Sequence, residues 1–262
     1  MAVILVTGAG GQLGTSLKKT AKRASQHQWI FADREQLDIT NHDQLKQYFA
    51  QHQPTHCINC AAYTNVRKAE QEPDQARAIN ATAVGLLVER CNARDTTLLH
   101  LSTDYVFDGE KDSPYTESDP VNPLNVYGKT KAEGEQIVLS TCIKGYVIRT
   151  AWLYAKAHGK NFYRTIVAKA KAGKSLQLVT DQIGSPTSTE DLSSFLLKIV
   201  TQPPPFGLYH FSGKQPLSWY EFAHRILQEN NLDVSITPIF TPSDEVKRPR
   251  YSALASIKNI SS

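Results

Sequence analysis

The opening fourteen residues constrain the fold more than any other stretch. An apolar run, Val3-Ile4-Leu5-Val6, leads straight into Thr7-Gly8-Ala9-Gly10-Gly11-Gln12-Leu13-Gly14. Consecutive apolar residues without alternation suit a strand buried on both faces, as in a parallel sheet. The glycines then open a helix. Without a Cβ, glycine permits the tight turn, the close backbone approach to a pyrophosphate and the close helix–strand packing of a dinucleotide site. The helix start adds free N–H groups and the positive end of its dipole. A glycine-rich stretch alone is weak evidence, and an ordinary βα turn is the competing reading. Its position, with a strand before and a helix after, favours dinucleotide binding through Gly8, Gly10, Gly11, Gln12, Leu13 and Gly14.

The chain continues to alternate. Strand patterns at 29–32, 56–62, 98–102 and 146–149 interleave with helical patterns at 12–24, 41–53 and 127–140. A long helical stripe after Pro73 carries Ala76, Ile79, Ala83, Leu87 and Cys91. This predicts an α/β, Rossmann-type doubly wound parallel sheet, with its ligand crevice at the C-terminal strand ends. Residues 1–150 read as the dinucleotide-binding domain. Residues 151–262 read mainly as a smaller substrate-binding domain, with about 188–212 as candidates to rejoin the main sheet.

Composition excludes several classes. With 262 residues, 40% hydrophobic, 21% charged and a formal net charge of +4, the chain reads as soluble and only mildly basic. No basic run is interleaved with aromatics, so no nucleic acid partner is expected. No apolar run reaches spanning length, so no membrane partner is expected. Residues 2–6 are too short for a signal peptide, and a cytoplasmic location is expected. Cys57 and Cys60 have C-x-x-C spacing but fall in a strand pattern, where they face opposite sides. With Cys91 and Cys142 they read as structural thiols rather than redox or metal ligands.

Tyr127 and Lys131 are four apart at a helix start and so share a face. A free tyrosine, with a pKa near ~10, is a poor acid–base group at neutral pH, and an adjacent ammonium favours its phenolate. Thr103 stands at the C-terminal end of the fourth strand, where its hydroxyl can hydrogen-bond a substrate carbonyl. Each feature alone has a bland reading, a surface pair or a turn residue. In this order with the glycine loop they are far more specific. Asp33, ending the second strand, suits a ribose 2′-hydroxyl, and the adjacent Arg34 suits a 2′-phosphate. NADPH is therefore the favoured cofactor, with NADH as the alternative.

Together these features resemble the extended short-chain dehydrogenase/reductase superfamily. Ala61-Ala62-Tyr63-Thr64, Ile79-Asn80-Ala81, Ser102-Thr103-Asp104-Tyr105-Val106-Phe107-Asp108-Gly109, Tyr127-Gly128-Lys129-Thr130-Lys131, Arg149-Thr150-Ala151-Trp152, Asp181-Gln182-Ile183-Gly184-Ser185-Pro186-Thr187 and Arg248-Pro249 narrow the resemblance to the dTDP-4-dehydrorhamnose reductase family. The resemblance implies hydride transfer to the C4 ketone of a dTDP-linked 4-keto-6-deoxy sugar. It implies catalytic roles for Tyr127, Lys131 and Thr103, with Lys131 lowering the tyrosine pKa and holding the nicotinamide ribose. It places Asp38 and Ile39 at the adenine and Ala61, Ala62, Tyr63 and Thr64 along the cofactor. Asp104 and Trp152 would meet the sugar, and Asn161, Gln182 and Arg248 the nucleotide-diphosphate side.

The match has departures. Arg67 stands where the family usually carries Asp. Some members bind Mg²⁺ through glutamates at a dimer interface, but this chain has Thr15 and Ser16 where one such Glu is needed, so no metal is expected. Glu190 and Asp191 read as helix-dipole partners. After Ser252-Ala253-Leu254 the family usually continues through another helix, so either that helix is absent or the sequence is truncated. The sequence leaves the oligomeric state open, with a homodimer as one candidate. Two other readings stay open: a nucleotide-sugar epimerase or dehydratase, and a non-catalytic cofactor-binding regulatory subunit.

Overall fold

The computed structural model describes residues 1–243 and 246–258. In chain order its elements are β1 (Val3–Thr7), α1 (Gln12–Arg23), β2 (Gln28–Ala32), α2 (His42–His52), β3 (His56–Asn59), α3 (Val66–Ala69), α4 (Pro73–Arg77), α5 (Ala83–Ala93), β4 (Thr97–Thr103), α6 (Val126–Thr141) and β5 (Gly145–Thr150). They continue with β6 (Leu153–Tyr154), α7 (Phe162–Lys171), β7 (Leu176–Val179), β8 (Ile183–Gly184), β9 (Thr187–Ser188), α8 (Thr189–Thr201), β10 (Gly207–His210), β11 (Leu217–Ser218), α9 (Trp219–Glu229) and β12 (Ile236–Ile239).

Six parallel strands form the central sheet in the order β10-β5-β4-β3-β1-β2. The order reverses at β1, whose neighbours are β2 on one side and β3 on the other. In open α/β sheets the ligand crevice lies outside the strand C-termini at such a switch point. Alternate residues of one strand serve opposite layers. Ile4 and Val6 pack with Leu13 and Leu17 of α1 and Leu192, Leu196 and Ile199 of α8. Leu5 packs with Leu45 and Phe49 of α2, Leu87 of α5 and Val138 of α6. Both faces are thus covered, as the unbroken apolar run requires.

Residues beyond Thr150 divide between two places. β10 pairs with β5 at the sheet edge. α8 lies beside α1, where the Ser16 hydroxyl donates to Thr189 Oγ1 at 2.8 Å. α7, α9 and the parallel β7–β12 pair enclose a separate core around Tyr163, Ile166, Leu176, Phe222 and Ile226. α9 opens with a reciprocal capping box between Ser218 and Glu221.

Two elements differ from the sequence pattern. The third strand ends at Asn59, because the Asn59 side chain accepts from the Ala61 backbone at 3.2 Å and turns the chain out of the ladder. The stripe after Pro73 is interrupted by a π-helical turn at Ala78–Thr82. That turn aims Asn80 at Tyr63, accepting from its N–H at 2.8 Å and donating to its carbonyl at 3.1 Å. Such turns inside helices are frequent at functional sites. The two-residue strands β6, β8, β9 and β11 are too short to register as alternation.

A buried ion pair fastens α6 to the sheet. Arg149 of β5 donates to both oxygens of Glu135, at 2.9 and 2.7 Å, with the two side chains 4% and 3% exposed. The Phe107 ring lies 5.0 Å from the guanidinium. Removing one partner leaves the other charge buried and unpaired. Glu135→Ala is therefore expected to cost about 3–5 kcal/mol in urea unfolding. A loss below ~1 kcal/mol would show that the pair is not a structural fastener.

Candidate active site

The head of α1 is built by contacts that exclude side chains. Gly8 has φ +62°, and a β-carbon there would lie 2.6 Å from the Ala61 nitrogen. One on Gly14 would lie 2.5 Å from the Ala9 Cα. Substitution at either site collides with backbone. The Gly11 N–H donates to the Gly8 carbonyl at 3.0 Å and closes the turn.

A cavity of about 770 Å³ opens above this loop at the C-terminal strand ends. Gly8, Gly10, Gly11, Gln12, Leu13 and Gly14 line one part, and Asp33, Arg34, Asp38 and Ile39 another. Ala61, Ala62 and Thr64 form a wall that leads to Tyr127 and Lys131. Tyr63 instead faces an adjoining pocket shared with Arg34 and Thr64, its hydroxyl donating to Glu72 at 2.7 Å. Asp33 Oδ1 accepts from the Glu35 and Gln36 backbone, each at 3.1 Å, which fixes the carboxylate at the rim. Hydrogen bonds from the Thr40 hydroxyl and N–H hold the Asp38 carboxyl below the usual carboxylate range.

These residues fit a nicotinamide dinucleotide. The glycine loop leaves its backbone open to a diphosphate, and Arg34 stands where a 2′-phosphate would be paired. At the far end the buried Ser102 and Thr150 hydroxyls line the cavity without a hydrogen-bond partner among the described residues.

Tyr127 and Lys131 lie in the first turns of α6, which is capped by Asn125 accepting from the Gly128 N–H at 2.8 Å. The Asn125 amide also donates to the Lys247 carbonyl at 2.9 Å, tying the helix start to the C-terminal segment. Burial pushes the Tyr127 phenol well above its ordinary value, and its hydrogen bond with Thr103 pulls the other way. Burial lowers Lys131 to about 8, opposed by Glu135 and Cys60. Its amine donates to the Leu101 carbonyl at 2.6 Å.

Thr103 donates to Asp104 Oδ1 at 3.1 Å, and Ser252 donates to Asp104 Oδ2 at 2.6 Å. Asp104 is buried, and burial raises its carboxyl to about 6 against those hydrogen bonds. Arg248 reaches the site through Tyr105, whose phenol it hydrogen-bonds. The Tyr105 ring meets that of Tyr127 edge-on at 5.7 Å. Trp152 has φ +48°, uncommon for a bulky residue. Its ring stacks on Trp219 with centroids 3.4 Å apart.

Two residues expected on the nucleotide-diphosphate side make hydrogen bonds within the protein. Asn161 caps α7 by accepting from the Arg164 N–H at 3.0 Å. Its amide donates to Gln12 Oε1 at 2.7 Å and to the Ala155 and His158 carbonyls. Gln182 donates to the Thr241 hydroxyl at 2.9 Å and accepts from the Trp219 indole at 3.2 Å. Sequence reasoning also passed over Asn80 and His100. Asn80 appears there only within a motif, and its role depends on the π turn. His100 is a buried strand residue that meets Lys131 only in the folded chain.

The chain is similar to several known proteins. A family model described as RmlD substrate binding domain matches residues 1–261. A dTDP-4-dehydrorhamnose reductase from Aggregatibacter actinomycetemcomitans is 42% identical over 87% of this chain and 79% of the relative. The spore coat polysaccharide biosynthesis protein SpsK of Bacillus subtilis (strain 168) is 37% identical over 97% of this chain and 89% of its own length. The crystal structure of dTDP-4-dehydrorhamnose reductase from Bacillus anthracis in complex with NADP superposes with a TM-score of 0.93 at 36% identity, covering 97% of this chain and 90% of that one. The chain therefore belongs to the RmlD substrate binding domain family, together with curated dTDP-4-dehydrorhamnose reductases.

Proposed function

We propose that the protein reduces the C4 ketone of a dTDP-linked 4-keto-6-deoxy sugar, converting dTDP-4-dehydro-L-rhamnose to dTDP-L-rhamnose for surface or coat polysaccharide synthesis. The observation that carries this is one continuous cavity with the glycine loop at one end and Tyr127 with Lys131 at the other. The names of the relatives support the substrate class, and SpsK supports the polysaccharide destination. NADPH is the proposed reductant, with NADH as the alternative; when bound, its nicotinamide supplies the hydride. The lobe around α7 and α9 is the proposed sugar-nucleotide side.

The chain's own residues do the rest. The glycine loop and α1 N-terminus hold the diphosphate, while Arg34 meets the 2′-phosphate. Lys131 holds the nicotinamide ribose. With substrate bound, the Thr103 hydroxyl turns its single hydrogen from Asp104 to the C4 carbonyl oxygen and polarises it. Tyr127, kept as a phenol by its buried setting, gives its proton to the same oxygen as the carbon–oxygen double bond becomes single. Before substrate arrives, Asp104 accepts the Thr103 hydrogen and keeps the hydroxyl at the cavity, and Trp152 packs on the sugar. This is positioning and charge stabilisation, the protein's usual share of cofactor chemistry.

Tyr127→Phe is expected to lower kcat by about 10²–10⁴-fold, the range for loss of a general acid. Its NADPH dissociation constant, read by intrinsic fluorescence, is expected to stay unchanged. Retained turnover would exclude Tyr127 as the proton donor. NADPH binding with no turnover by the wild type on any dTDP-4-keto sugar would favour the regulatory reading instead.

Arg34→Ala is expected to lower the preference for NADPH over NADH in kcat/KM by about tenfold, equivalent to about 1.4 kcal/mol. Loss of one charge-assisted hydrogen bond is of that order. Equal effects on both cofactors would show that Arg34 does not meet the 2′-phosphate.

A further inference from the structure

The segment 155–161, which leads into α7, grips Gln12 at the head of α1 through His158, Gly159 and Asn161. His158 Nε2 lies 2.9 Å from the Gln12 carbonyl. A carbonyl can only accept, so that nitrogen carries a proton and donates it. Gly159, at φ +72°, lies so close that a β-carbon there would come within 2.7 Å of Gln12 Cγ. Asn161 then reaches the end of the Gln12 side chain, its Nδ2 donating to Oε1 at 2.7 Å.

Backbone groups determine which way both amides face. Asn161 Oδ1 accepts from the Arg164 N–H at 3.0 Å, and a backbone N–H can only donate. The other end of the Asn161 amide meets the Ala155 and His158 carbonyls at 2.9 and 3.2 Å. These can only accept, so that end is the NH₂ group, and Gln12 must answer it with oxygen. The Gln12 Nε2 hydrogens are thereby turned away from Asn161. No described residue accepts from them, and Gln12 lines the cavity between Gly11 and Leu13. The reverse orientation would set two NH₂ groups against each other and present an oxygen to the cavity, where it would repel an anion.

We infer that Asn161 is a positioning residue that fixes the Gln12 carboxamide with its Nε2 donor toward the cofactor diphosphate. A hydrogen bond to a phosphate oxygen is among the stronger ones, and it costs least when the donor is ordered beforehand. The same Asn161 side chain caps α7. One amide thus serves the cofactor loop and the neighbouring lobe together. The inference rests on the cofactor reading above and is independent of the sugar.

The test is a titration of the full-length protein with NADPH, reading the dissociation constant by fluorescence and the side-chain amides by ¹⁵N NMR. In the wild type, saturating NADPH is expected to shift the Gln12 amide signal, while the Asn161 amide keeps slow hydrogen exchange throughout. Gln12→Ala is expected to weaken NADPH about ten- to a hundredfold, the range for one hydrogen bond to a charged group. NADH carries the same diphosphate and is expected to weaken by the same factor. Asn161→Ser keeps a hydroxyl to cap α7 but cannot hold the Gln12 amide. It is expected to weaken both nucleotides about two- to tenfold, the worth of ordering one side chain. In the Gln12→Ala background it is expected to add nothing. A Gln12 signal that NADPH leaves in place, or an Asn161 amide that exchanges freely, overturns the inference on the wild type alone, even if a variant does not fold. So does Asn161→Ser binding like the wild type, a loss that multiplies with that of Gln12→Ala, or a loss confined to NADPH. A wild type that binds no NADPH overturns the cofactor reading and the inference together. If binding behaves as expected and no keto sugar is reduced, only the proposed activity fails.

Discussion

The site depends on two backbone contacts that leave no room for a β-carbon. Gly8 presses on Ala61 across the β1–β3 switch point, and Gly14 presses α1 against Ala9. The first draws the glycine loop and the wall after β3 together as two sides of one cavity. The second brings the start of α1 down onto that cavity, so that its free N–H groups face a diphosphate. A side chain at either position would part the layers and remove the cradle without disturbing the strands beneath.

α6 then joins chemistry to stability along a single helix. Tyr127, Lys131 and Glu135 follow at intervals of four and so share a face. The first two reach the cavity, and the third closes on Arg149 in the sheet. The ion pair holds the helix axis, and with it the distance of the phenol from Thr103. Burial lowers Lys131 to about 8, and the Glu135 carboxylate one turn on opposes that shift. Burial keeps the tyrosine in its protonated form, and its hydrogen bond with Thr103 opposes that shift.

What was legible in the sequence is what local spacing encodes. The apolar run, the glycines and the Tyr127–Lys131 interval each lie within a few residues, and each sits where the pattern places it. The doubly wound architecture followed from alternation. Contacts between distant segments were not legible. Asn59 and His100 look like ordinary strand residues until the ladder sets them side by side. Arg248 gains its place only through Tyr105. Asn161 and Gln182 were singled out through the family motif, and their hydrogen bonds to a helix cap, to Gln12, to Trp219 and to Thr241 join segments that no local pattern relates. The π turn at 78–82 escaped the helical stripe because the apolar spacing survives one extra residue per turn.

The most direct measurement of the central claim is the stoichiometry of a single reaction. The purified protein is mixed with NADPH and dTDP-4-dehydro-L-rhamnose, nicotinamide oxidation is followed by absorbance, and the sugar nucleotide is identified by NMR. This account predicts one dTDP-L-rhamnose formed for each NADPH consumed. A sugar recovered with its ketone intact and the NADPH unspent would contradict it.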